Sequence, residues 1–175
     1  MKIAGEIIGA IAIVINFLIY QQKDRKNVLK VKLLSDISWA THYGLLTAFS
    51  GMAVCCVAIA REITFLQTED KKDKRKYFLI AFAIISIVSS GLTMKDVYGL
   101  LPALASLIAV FSFWQQNPNV TKVLAIPISI SMIIYDIMRF SIAGIINEIF
   151  TLISIIIFFS KIAKNNKPTN TIKQD

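Results

Sequence analysis

The sequence has few of the residues that enzymes use for chemistry. It contains one histidine, His42, and only two cysteines, Cys55 and Cys56, which are adjacent. Neighbouring cysteines rarely reach disulfide geometry, and no metal-ligand spacing surrounds them. The sequence also lacks an HExxH pair, a glycine-rich phosphate loop and a nucleophile elbow. These absences predict a protein that is not an enzyme and that holds no metal or cofactor.

Charged residues are scarce as well, and long apolar runs take their place. The chain has 175 residues, of which 55% are apolar and 17% charged, and its mean hydropathy is +0.64. A helix needs about 20 apolar residues to cross about 30 Å of hydrocarbon, and lipid offers no partner for backbone polar groups. We therefore predict an all-α polytopic membrane protein with seven transmembrane helices. The predicted spans are 3–20, 33–48, 51–66, 77–93, 98–114, 120–140 and 142–159.

The basic residues are distributed unevenly between the apolar runs. The net charge of +8 would suit a nucleic-acid partner, but no basic-aromatic reading surface occurs. With seven spans, all but three of the 19 Lys and Arg residues fall on one side of the membrane. The other side keeps Lys2, Lys95 and Arg139. Because cytoplasmic segments carry the excess of Lys and Arg, this split predicts an external N-terminus and a cytoplasmic C-terminus.

A short pattern occurs twice in the chain. Segments 17–22 and 111–116 each end an apolar run with an aromatic residue followed by two glutamines, at a spacing of 94 residues. Two later pairs keep nearly this spacing, Tyr43 with Tyr135 and Gly51 with Gly144. Such spacing indicates an internal duplication. Because both copies would enter the membrane in the same direction, the repeat is predicted to be parallel, with an axis along the membrane normal.

The duplication predicts a three plus one plus three arrangement. Residues 1–68 would form the first three-helix repeat, and residues 98–160 the second. Residues 69–97 would form a basic loop and a linker helix that restores the orientation. Residues 161–175 would form a cytoplasmic polar tail.

These features resemble the PQ-loop/SWEET superfamily of carriers. Gln21 and Gln115 stand where that family ends the first helix of each repeat in Pro-Gln, and Tyr43-Gly44 stands at its second-helix motif. Asn147 stands where the third helix carries a solute-contacting asparagine. The resemblance implies a SWEET-like fold and a solute site at the repeat interface. For Gln21 and Gln115, at the inner interface, two roles are open, capping the helix ends and gating the inner mouth.

The chain also departs from that superfamily. The family proline that lets a helix bend is replaced by Tyr20 and Trp114, and Pro127 is the only proline well inside a predicted span. In length, in its glutamine-rich loop and in the Trp-x-x-His-Tyr pattern of residues 39–43, the chain resembles the YgjV-type bacterial inner-membrane proteins. This second resemblance implies the bacterial inner membrane as the location.

The candidate solute-binding residues lie in the predicted spans. Trp39, His42 and Tyr43 share one helix face by their spacing, while Tyr135 and Asn147 belong to the second repeat. We predict that all five face the interior and that at least three line one cavity. The alternative is a set of hydrogen bonds between packed helices, without a shared void.

Two functions follow from these observations. The first is a transporter or facilitator for a small, sugar-like solute. The alternative is a non-transporting scaffold, sensor or partner subunit that keeps the same fold. A polar cavity would favour the first function, and a closed seam would favour the second. The expected partners are the lipid bilayer and a small polar solute. Both a monomer and a homo-oligomer are open. Nucleic acid is not expected.

Overall fold

The computed structural model describes residues 2–47, 49–68, 72–93, 97–138 and 142–165. Within these ranges it contains seven α-helices, one short 3-10 helix at Val97–Gly99 and no strand, which confirms the all-α prediction. The α-helices are α1 (Lys2–Ile19), α2 (Arg25–Leu45), α3 (Phe49–Gln67), α4 (Lys72–Thr93), α5 (Leu100–Trp114), α6 (Pro118–Met138) and α7 (Ile142–Asn165). Lys95, Arg139 and the end of the predicted tail, 166–175, lie outside the described residues.

Two helices extend beyond the predicted spans. Helix α2 begins at Arg25, well before the predicted residue 33, because Asp24 caps it by accepting a hydrogen bond from the Asn27 N–H at 3.2 Å. Helix α7 continues to Asn165, beyond the predicted span 142–159 and into the predicted polar tail. In both places charged residues extend a helix beyond the apolar run that hydropathy detects.

The surface and the interior reverse the pattern of a soluble protein. Large apolar side chains are exposed along every α-helix, and α1 presents a continuous stripe of them. The buried residues include many polar and charged ones, such as Glu62, Lys122 and Ser154. Because charge in hydrocarbon is costly, polar side chains of a membrane protein turn toward the bundle interior. This inside-out distribution is typical of a helical membrane bundle.

Four helical segments are long and apolar enough to cross a membrane. They are Lys74–Leu92, Val97–Trp114, Pro118–Met138 and Gly144–Lys164. The apolar segment Ile3–Ile19 is shorter, and α2 carries several charges along its length. The structure therefore supports a polytopic membrane protein with at least these four candidate spans.

Neighbouring helices form two groups that meet through α1 and α7. Helix α2 packs between α1 and α3, α6 packs between α5 and α7, and α4 packs on α5. Along the α1–α7 contact, Asn16 bonds to Thr151 and Gln21 bonds to Ser154. Because the paired residue numbers increase together, α1 and α7 run parallel.

Basic side chains meet at one end of the bundle. This basic end is where α1 and α5 end and where α2, α4 and α6 begin, and it contains Arg25, Arg75 and Lys122. An apolar cluster that includes Ile19, Phe65 and Phe113 lies beside it. The alternation of helix directions along the chain brings these distant segments together.

Candidate functional site

Two ion pairs lie inside the bundle, one buried and one partly exposed at its lysine. On α2, Lys32 Nζ bonds to Asp36 Oδ1 one turn away. On α3, Arg61 Nη2 lies 2.8 Å from Glu62 Oε1, and Arg61 Nε lies 3.1 Å from the same oxygen. Glu62 is completely buried. We call these four residues the charged quartet.

The aromatic ring of Phe113 joins the two ion pairs. Lys32 Nζ lies 5.6 Å from the ring centroid, and Arg61 Cζ lies 5.4 Å from it. At these distances both cations gain from the negative face of the ring. The C-terminal end of α5 therefore closes a cluster that α2 and α3 supply.

Each carboxylate of the quartet keeps an oxygen that accepts no hydrogen bond. Asp36 Oδ2 and Glu62 Oε2 are buried and have no donor among the residues that the structure describes. A carboxylate oxygen in this condition bears a desolvation cost. The quartet therefore offers two acceptors to a ligand that brings hydrogen-bond donors.

A second polar set lies between α1 and α7. Asn16 Nδ2 donates to Asn147 Oδ1 at 3.1 Å and to Thr151 Oγ1 at 2.9 Å. Gln21 Nε2 donates to Ser154 Oγ at 2.9 Å and to its backbone oxygen at 2.7 Å. We call these five residues the amide seam. Its members bond to one another directly, so the seam is closed in this structure.

Glu148 connects the amide seam to α6. Its Oε1 accepts a hydrogen bond from Asn147 Nδ2 at 3.1 Å, and its carboxylate also accepts one from Ser129. Lys32 and Asp136 lie within electrostatic range of this carboxylate. Polar groups from α1, α2, α6 and α7 thus lie near one another in the interior.

Three of the predicted site residues form one aromatic group. The ring centroids of Trp39 and Tyr43 are 5.8 Å apart in a stacked arrangement, and His42 lies edge-on to both. His42 Nδ1 donates to the backbone oxygen of Gly5 on α1 at 2.8 Å. That bond is of the kind expected for a histidine held between packed helices.

The other two predicted residues lie on other helices than this aromatic group. Asn147 belongs to the amide seam, and Tyr135 is half-buried on α6 beside Asp136. Two surface pockets, of about 380 and 320 Å³, are lined by other residues. A cavity shared by three of the five stays a prediction.

The predicted gating residues have different contacts. The Gln21 side chain links α1 to α7 within the amide seam. Gln115 uses its backbone oxygen, which accepts a hydrogen bond from Arg25 Nε at 2.6 Å. In the reverse direction, Lys122 Nζ donates to the backbone oxygen of Gln22 at 2.6 Å. We call this reciprocal pair of bonds the latch. Each basic residue bonds to the backbone just after the first helix of the other predicted three-helix unit.

Sequence reasoning missed the charged quartet as a site. Lys32 and Arg61 entered only the count of Lys and Arg on each side of the membrane. The signal that could have identified the quartet is a pair of opposite charges inside an apolar run, because buried charges in membranes need partners. In the described part of the chain, no three His, Cys, Asp or Glu side chains are placed to hold a metal ion.

The contact between Gly9 and His42 gives a testable packing prediction. A Cβ at Gly9 would lie 2.7 Å from His42 Nδ1 and 2.9 Å from its Cε1. We expect Gly9→Ala to lower the free energy of unfolding by about 1–3 kcal/mol, because the helices must separate or His42 must move. Thermal unfolding in detergent measures this effect.

The control for that prediction is Gly91→Ala on α4. An added Cβ there would meet no atom within 4 Å in the described structure, and alanine favours a helix over glycine. We expect this variant to unfold at the wild-type temperature or slightly above it. Equal losses in the two variants would contradict the close α1–α2 contact.

The fold and the inward polar groups define the class of this protein as a polytopic α-helical membrane protein. The chain matches the Imp-YgjV family, described as bacterial inner membrane protein, over residues 3–166, and it belongs to that family. It is therefore an integral, multi-pass protein of the bacterial inner membrane. No curated protein and no solved structure matches the chain.

Proposed function

We propose that the protein is a non-enzymatic carrier or facilitator that moves a small, neutral, hydroxylated solute across the inner membrane. The observation that carries this proposal is the charged quartet, whose carboxylates hold two buried oxygens without hydrogen-bond donors. Burying a charge costs several kcal/mol, and an ion pair repays this cost only where its remaining oxygens are also hydrogen-bonded. The retention of two incompletely bonded carboxylates therefore favours a functional role over a purely structural one.

The charge balance of the quartet favours a neutral solute. Lys32 and Arg61 already compensate Asp36 and Glu62. A cationic solute would add an unpaired charge to a buried site, whereas hydroxyl groups would supply donors without changing the net charge. Phe113 offers an apolar ring of the kind that packs against the carbon face of a sugar-like molecule. We propose the quartet and Phe113 as the centre of the site, with the previously predicted residues around it.

The latch supports a parallel repeat. Arg25 begins the second helix of the first unit and bonds to the end of the first helix of the second unit. Lys122 lies near the start of the corresponding helix of the second unit and bonds just after α1. Such an exchange is expected if a two-fold axis along the helices relates the units. We therefore retain seven spans in a SWEET-like three plus one plus three arrangement, in which Gln21 and Gln115 form the gate with the latch.

The orientation of the protein in the membrane is proposed from the basic residues at the basic end of the bundle. Arg25, Arg75 and Lys122 all lie at the basic end. Because Lys and Arg are enriched on the cytoplasmic side, we propose that the basic end is cytoplasmic, with the N-terminus outside and the C-terminus inside.

The second candidate function is a non-transporting scaffold, sensor or partner subunit. The amide seam favours it, because Asn16, Asn147 and Thr151 satisfy one another directly and leave no gap for a solute between them. In a carrier, this seam must open at some stage of the cycle.

Uptake into proteoliposomes separates the two functions. The test panel contains sugars, polyols, amino acids and cations. We expect one class of these solutes, neutral and hydroxylated, to enter protein-containing liposomes faster than protein-free liposomes. The control is Arg61→Met with Glu62→Leu, which removes one ion pair and keeps the net charge. This double variant is expected to lose uptake while it remains folded. If every solute enters liposomes with and without the protein at the same rate, the result would favour the scaffold.

A further inference from the structure

A pocket at the basic end shares one lining residue, Gln115, with the proposed gate and is otherwise unused by the proposed transport function. It measures about 320 Å³ and lies between the start of α4 and the turn that joins α5 to α6. Most of the surface that lines it is apolar, and the described lining residues include two basic ones and no acidic one. The lining residues are Arg75, Lys76, Trp114, Gln115, Gln116 and Asn117.

We propose that this pocket binds the phosphate of an anionic phospholipid from the surrounding bilayer. Arg75 and Lys76 contribute two positive charges to the described lining, and positive charge attracts a phosphate. The carboxamide side chains of the lining glutamines and asparagine add neutral donors of the kind that bind phosphate oxygens. Basic pockets between helices on the cytoplasmic side of a membrane recognise such headgroups by the same chemistry.

Arg75 is held in position before any ligand arrives. It is only 3% exposed, its guanidinium lies 5.3 Å from the Trp114 ring centroid, and it donates to the Trp114 backbone oxygen. A side chain fixed in this way loses little further conformational entropy on binding. Lys76 is exposed and flexible, so it can adjust its ammonium group to the phosphate.

Trp114 contributes a second observation. Its indole Nε1 is buried and has no acceptor among the described residues. An indole N–H is a donor only, and its preferred location is the boundary between apolar and wet regions. A phosphate oxygen or a headgroup hydroxyl would satisfy it.

The apolar surface beside the pocket favours a lipid over a free phosphate ion. Tyr77 follows Lys76 directly and is 75% exposed. From there an exposed apolar face continues along α4 and includes Phe78, Ile80, Ile84, Val88 and Leu92. A lipid with its headgroup in the pocket would lay its acyl chains against this face, whereas inorganic phosphate would leave that face unused.

Lipid titration of the purified protein in neutral detergent tests the proposal. We expect phosphatidylglycerol to raise the unfolding temperature, and phosphatidylcholine to have little effect. Lys76→Gln is expected to bind phosphatidylglycerol about fivefold more weakly, since one basic residue near a membrane surface contributes about that factor. Lys74→Gln is the matched control, because Lys74 is exposed on the same turn but does not line the pocket.

Two comparisons in this titration test whether the bound phosphate belongs to a lipid and whether the pocket binds it. If inorganic phosphate at equal concentration stabilises the protein as strongly as phosphatidylglycerol, the lipid assignment is overturned. Equal losses in Lys76→Gln and Lys74→Gln would show a diffuse charge effect and would also overturn the pocket. Because this titration involves no transport, its outcome is independent of the uptake experiment.

Discussion

Replacing Arg61 with methionine is expected to destabilise the protein by about 3–5 kcal/mol, because the substitution leaves a charged Glu62 buried without its partner. Glu62 is completely buried, and Arg61 supplies both hydrogen bonds to its Oε1. Methionine keeps much of the apolar stem that packs near Phe113 and removes only the guanidinium. Thermal unfolding in detergent, followed by size-exclusion chromatography of the heated protein, measures the loss.

The double variant Arg61→Met with Glu62→Leu shows whether the loss comes from the orphaned charge. Replacing both members of a buried ion pair with apolar residues is often neutral or stabilising. We therefore expect the double variant to regain most of the wild-type unfolding temperature. If it unfolds as readily as Arg61→Met, lost packing rather than unpaired charge is the cause, and the ion pair is not the important feature.

The second large effect is expected at the latch. Lys122 is completely buried, its Nζ donates to the Gln22 backbone oxygen at 2.6 Å, and it lies 3.7 Å from the Phe158 ring centroid. Lys122→Met keeps the length of the side chain and removes the charge-assisted bond, which contributes about 1.5–3 kcal/mol. Amide hydrogen exchange in residues 18–24 should become about 10- to 100-fold faster, because local opening loses that free energy.

The reciprocal variant provides the control for the latch. Arg25 bonds to the backbone oxygens of Gln115 and Phe113, so Arg25→Met should accelerate exchange in residues 113–117 and affect residues 18–24 less. In Lys122→Met the order of the two effects should be reversed. Unchanged exchange in both segments of the folded variants would show that these bonds do not hold the basic end closed.

The length of the apolar runs predicted the helices because lipid imposes one rule on all of them. An apolar run long enough to cross the bilayer must be helical, whatever it packs against. The start of α2 was missed because half of residues 25–32 are charged, and their helix depends on the Asp24 cap and on tertiary contacts. Hydropathy contains no information about either.

The interior was predicted less completely, because its contacts join residues far apart in the chain. The inward placement of Asn147 follows from polarity, but its bond to Asn16 depends on the parallel contact of α1 and α7. Likewise, the contact of Arg61 with Phe113 joins α3 to α5. His42 was predicted as a solute-binding residue, and only the structure shows that its Nδ1 donates to the backbone oxygen of Gly5. Residue spacing shows which side chains share one face of a helix. It does not show which other helix packs against that face.

The most direct test of the carrier proposal is the water accessibility of the interior. Tyr43, Tyr135 and Asn147 are replaced one at a time by cysteine after Cys55→Ala and Cys56→Ala, and the protein is treated in membranes with a water-soluble thiol reagent. Ile84→Cys on the exposed apolar face of α4 is the unlabelled control, and Lys23→Cys at the basic end is the labelled one. The proposal predicts labelling at positions 43, 135 and 147, since a carrier must admit water to its solute route. Protection at all three positions in folded protein would contradict it and favour the scaffold.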